Sequence, residues 1–82
     1  MENVPSLIRD MQEALAVTDR VTLIRAAHTL KSNSATIGAS KLAEMSADLE
    51  KAGKDSSLEE LAIKIAQAKE ELDKVIQELS LR

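Results

Sequence analysis

The chain has no cysteine, no phenylalanine, tyrosine or tryptophan, one proline, two glycines and one histidine in its 82 residues. Without cysteine there is no disulfide framework, no thiolate nucleophile and no cysteine-based zinc site, which fits a reducing compartment. Without aromatic rings there is no platform for stacking nucleic-acid bases. The net charge of −3 also lacks the basic surface that supplies most affinity for phosphate backbones. Nucleic acid is not the expected partner. No apolar run approaches the roughly 20 residues of a membrane span, and Met1-Glu2-Asn3-Val4-Pro5 lacks the order of a signal peptide. The expectation is a cytoplasmic protein with no membrane insertion. There is no glycine-rich phosphate loop for ATP, and one histidine leaves neither an ordinary zinc shell nor an evident serine triad.

What is present is a palette of Leu, Ile, Val, Met and Ala, which suits helix packing better than a sheet. A chain of this length makes one domain, residues 1–82, and buries only about 60–65% of its unfolded surface. Four segments carry helical periodicity. The first, about residues 4–17, groups Val4, Leu7, Ile8, Met11, Ala14 and Leu15 on one face, with Asn3 as its N-cap. The second, about 20–36, is capped by Asp19 and ended by Gly38, a residue suited to the left-handed conformation. The third, about 39–52, turns Leu42, Met45, Ser46 and Leu49 inward and stops at Gly53. The fourth, about 57–81, opens on a capping box of Ser57 with Glu60, in competition with Ser56 and Glu59. Its apolar residues Leu58, Leu61, Ile65, Ala68, Leu72, Val75 and Leu79 recur at heptad spacing. Three short connections predict an all-α, antiparallel up-down-up-down four-helix bundle.

His28 lies mid-way along the second helix, on a face about 150° from the inward stripe of Leu23, Ala26, Ala27, Leu30, Ser34 and Ile37. Its ring is expected in solvent. No other side chain is a strong nucleophile near neutral pH. Val21, Ile24 and Ala35 fall within about 40° of it, an apolar fringe on a wet face that suggests a docking surface. Arg25 and Lys31 flank it at about 60° on either side, two cations suited to a phosphoryl group. Ser32, one turn later on the same face, is small enough to leave the ring reachable by another protein's active site.

The stretch from His28 to Ala39, His-Thr-Leu-Lys-Ser-Asn-Ser-Ala-Thr-Ile-Gly-Ala, followed by Leu42 and Leu49-Glu50, resembles the histidine-containing phosphotransfer (HPt) domain of bacterial two-component phosphorelays. The similarity is strongest over about residues 19–53 and points to the hybrid sensor kinase type. The resemblance implies that His28 is the phosphoacceptor and that Lys31 steadies the phosphoryl oxygens. Ser32 stands where the family most often has glycine. Glu50 stands where relatives often have a polar residue, commonly glutamine, that hydrogen-bonds the histidine ring. Relatives also tend to have a longer first helix or an extra short one before it.

The implied function is transfer, not enzymatic synthesis. A receiver domain carrying an aspartyl phosphate and Mg²⁺ docks on Val21, Ile24, His28 and Ala35, an imidazole nitrogen attacks phosphorus in line, and phosphohistidine later passes the group to another receiver aspartate. No cofactor is implied within the domain itself. The expected partners are response-regulator receiver domains, with a covalently linked hybrid sensor histidine kinase and a homodimer as further associations. The competing reading is a structural coiled-coil or oligomerisation module built on the fourth helix, which accounts for the heptads and gives no reason for the apolar fringe around His28.

Overall fold

The computed structural model describes residues 4–80, with side chains described for 6–78. It is all-helical: α1 spans Val4–Ala16, α2 Arg20–Thr36, α3 Ser40–Ala52 and α4 Leu58–Ser80. Asn3, expected to cap the first helix, and the side chains of Val4 and Leu79, expected on the inward stripes, lie outside the described residues. Among the described residues each helix packs on its sequence neighbours and α1 packs on α4, while the backbones of the diagonal pairs α1–α3 and α2–α4 do not approach closely. That is the ring of an antiparallel up-down bundle. It measures 38 × 18 × 18 Å, and α4, about 35 Å long at 1.5 Å per residue, runs most of its length.

The boundaries follow local chemistry. Asp19 caps α2, accepting the backbone N–H of Thr22 at 3.1 Å and its hydroxyl at 2.6 Å. Those two bonds, the hydroxyl's first, hold the Asp19 carboxyl below its ordinary value. At the end of α2 the Ala39 N–H reaches the Ser34 carbonyl and the Gly38 N–H reaches Ala35, with Gly38 at φ +79°. This is the double hydrogen bond that closes a helix through a left-handed residue. The same pattern ends α1, where Asp19 N–H bonds Ala14 and Thr18 N–H bonds Leu15, so the left-handed position falls on Thr18 at φ +57°. Helix α1 therefore ends at Ala16, and Val17 is in the exposed turn. Helix α3 begins one residue later than its periodicity suggests, because Ala39 is its N-cap. In α4 Ser57 is the capping residue, its hydroxyl accepting the Glu60 N–H at 3.1 Å.

The core is built on Leu7, Ile8, Met11 and Ala14 from α1, Leu23, Ala26, Ala27 and Leu30 from α2, Leu42 and Leu49 from α3, and Leu61, Ile65, Ala68 and Leu72 from α4. Leu15 and Met45 pack at its edge. Two residues of the sequence-derived stripes are in solvent. Ile37 is 40% exposed because it sits in the turn after α2, and Leu58 is 38% exposed because it begins α4 before the core starts. Arg20 ties the start of α2 to the end of α3, donating from Nη1 to the Gly53 carbonyl at 3.0 Å. Among the described residues no helix is long and apolar enough to cross a membrane.

Candidate functional site

Helix α2 presents two faces that its sequence divides cleanly. Leu23, Ala26, Ala27, Leu30 and Ser34 are buried, and the opposite side carries Val21, His28, Ser32 and Ala35 in solvent. The His28 side chain is 59% exposed. Val21 is 67% exposed, while Ile24 is half-buried because it lies against Gly53 at the end of α3. The apolar fringe around the imidazole is thus real at Val21 and Ala35 and partly spent on packing at Ile24.

Glu50, in the last turn of α3, reaches across to α2. Its Oε2 lies 2.8 Å from His28 Nδ1, and its Oε1 accepts from Lys31 Nζ at 2.9 Å. Both oxygens of one carboxylate are engaged, one by the ring and one by the ammonium. The bond from Lys31 is the largest influence on the Glu50 carboxyl; burial opposes it and the His28 bond reinforces it, leaving the group below its ordinary value of 4.5. An ionised carboxylate can only accept, so the proton in the His28 contact sits on Nδ1. Nε2 then points away from Glu50 and has no protein partner among the described residues.

The structure brings His28, Lys31 and Glu50 together and leaves Arg25 outside that cluster. Arg25 is on the α1 side of the imidazole, where it lines a shallow depression with Leu7, Asp10, Thr22, Ala26 and Thr29. Ser32 is exposed one turn beyond His28, and its carbonyl accepts the Thr36 hydroxyl at 2.9 Å. The Lys31–Glu50 pair is a product of tertiary packing. The two residues are 19 positions apart on different helices, and only docking α2 on α3 makes them neighbours.

The arrangement suits nucleophilic chemistry at an oriented imidazole nitrogen. It does not resemble a cation site: among the described residues no three His, Asp or Glu side chains converge on one point. Nor is it a cleft for a small substrate, since the ring stands on a convex helix surface. The partner that reacts with it must bring its own pocket.

Comparison with known proteins agrees with this geometry. The sequence profile of the family described as Hpt domain matches residues 1–80, while no curated protein and no solved structure matches the chain. Hpt domains carry out histidine phosphotransfer in phosphorelays, interacting with receiver domains as phosphocarriers rather than kinases. With a match over nearly its whole length and an all-helical bundle presenting one solvent-facing histidine, this chain belongs to the Hpt domain family.

Proposed function

We propose that His28 accepts a phosphoryl group from the aspartyl phosphate of one receiver domain and passes it to the aspartate of another. The observation that carries this reading is the tethered, outward imidazole: Nδ1 is held by Glu50 at 2.8 Å while the side chain stays 59% exposed. The Nε2 lone pair attacks phosphorus as the bond to the aspartate oxygen breaks, and the bonding pair leaves with the carboxylate. The Nδ1 proton stays on the ring, against Glu50, so the step requires no local general base. Mg²⁺ belongs to the receiver, which also supplies most of the charge stabilisation. Arg25 gives this side of the encounter its positive character beside the Lys31–Glu50 pair, Ser32 keeps the approach to the ring open, and Val21, Ile24 and Ala35 form the docking fringe.

On this reading the chain is a single phosphocarrier domain that binds no ATP, works in the cytoplasm, and takes its phosphoryl group from receivers such as those of hybrid sensor kinases. Incubation with phosphorylated receiver domains and Mg²⁺ should place label on the wild-type chain that is lost in acid and kept in alkali. A His28→Gln variant should fold and take none. Acid-stable label, or label on the glutamine variant, refutes the assignment. Retained receiver binding without any turnover in the wild type would favour the scaffold reading instead.

A further inference from the structure

A carboxylate placed against an imidazole does two things of opposite value to a nucleophile. It orients the ring by accepting from Nδ1–H, and it attracts a second proton to Nε2, which removes the lone pair that must attack. Glu50 is so placed, and its other oxygen is 2.9 Å from the Lys31 ammonium. The formal charges of Glu50 and Lys31 sum to −1 + 1 = 0, so the ring faces a neutral pair. The remaining charges near it are less engaged. Arg25 is turned to the α1 side with Asp10, and Lys51 and Lys54, at and beyond the end of α3, are exposed. On the α3–α4 face Lys64 is occupied by Asp48. Among the described residues Glu50 is the one carboxylate within ion-pair distance of His28.

We infer that Lys31 serves the site through Glu50, as a positioning residue whose charge lets the carboxylate orient His28 without holding it in the protonated form. This rests on His28 being the phosphoacceptor. Were the ammonium to leave its carboxylate, 2.9 Å away, the ring would face the uncompensated charge of Glu50. The lysine's value lies in staying where it is.

With one histidine and no tyrosine in the chain, carbethoxylation by diethyl pyrocarbonate reports selectively on the unprotonated His28 ring, independently of any phosphotransfer partner. In Lys31→Met the pH profile of that reaction should move to higher pH, with the rate about three- to tenfold below wild type near pH 6.5 and converging with it above about pH 8.5. Lys31→Arg should match wild type, and adding Glu50→Gln to Lys31→Met should return the profile to its original position. Superimposable profiles for wild type and Lys31→Met overturn the inference. So does transfer from a phosphorylated receiver that falls equally at every pH in Lys31→Met, since a loss that does not follow ring protonation does not run through Glu50. Failure of the wild type to accept phosphate, with the carbethoxylation shifts intact, would instead remove the phosphoacceptor reading.

Discussion

Ile24 of α2 occupies the space that a side chain at Gly53 would need: a Cβ at position 53 would fall 2.6 Å from Ile24 Cγ1. Gly53 has right-handed helical angles, φ −57° and ψ −21°, so it is glycine for clearance and not for backbone freedom. Gly53→Ala should cost about 1–3 kcal/mol through overpacking. The penalty should shrink in an Ile24→Ala background, measured by a denaturation double-mutant cycle. Equal costs in both backgrounds would remove Ile24 as the cause.

Access to the imidazole is a separate question from its orientation. Ser32 is exposed one turn from His28 on the same helix face. Ser32→Leu should lower receiver-dependent phosphorylation on the order of tenfold or more by displacing the docked partner, with little change in melting temperature. Ser32→Gly should keep full transfer. A leucine variant that transfers normally would show that receivers approach from another direction.

The Glu50 carboxyl is held below its ordinary value of 4.5 by the bond from Lys31, aided by that from His28. A group whose value is depressed by folding adds stability that is fully present above its unfolded value and is lost as pH falls through the folded one. The stability difference between wild type and Glu50→Gln should therefore be flat above about pH 5.5 and decline below 4.5. Urea melts across that range measure it, and a difference that grows with acidity would contradict the assignment.

Thr18 holds a left-handed conformation at φ +57° that a β-branched residue adopts at a cost. Thr18→Gly should stabilise the domain by about 1 kcal/mol, or about 4–8 °C in melting temperature. Gly38 shows the converse. It has φ +79° with nothing within 4 Å of a Cβ, so Gly38→Ala should destabilise through backbone strain alone. An unchanged melting temperature in both variants would contradict the strain argument.

Ser34 is fully buried in α2, and its hydroxyl has no hydrogen-bond partner among the described residues. Its counterpart in α3, Ser46, donates to the Leu42 carbonyl at 2.7 Å. Ser34→Ala should therefore raise stability by about 1 kcal/mol, whereas Ser46→Ala should be neutral or destabilising. Chemical denaturation of the pair separates the two cases.

The four helices, the caps at Asp19, Gly38 and Ser57 and the outward direction of His28 were legible along the chain, because each depends on side chains three or four residues apart on one helix. Asp19, Gly38 and Ser57 act at the ends they mark, and the stripe from Leu23 to Ser34 is buried as its spacing requires. Ile37 and Leu58 departed from the pattern because a periodic stripe does not say where the core stops. The thin sequence signal for Thr18 reflects a left-handed position taken by a residue type that seldom occupies it.

Tertiary structure alone decided how the polar groups around the imidazole are shared. Glu50 is 22 positions from His28, and its reach to both the ring and Lys31 depends on the rotation and axial offset of α3 against α2. The whole core fixes those quantities, from Leu23 and Leu30 to Leu42 and Leu49, and no short stretch encodes them. The same docking left Arg25 on the α1 side and placed Ile24 over Gly53. Periodicity reports which way a side chain leaves its own helix, and only the packing of one helix on another determines what it meets.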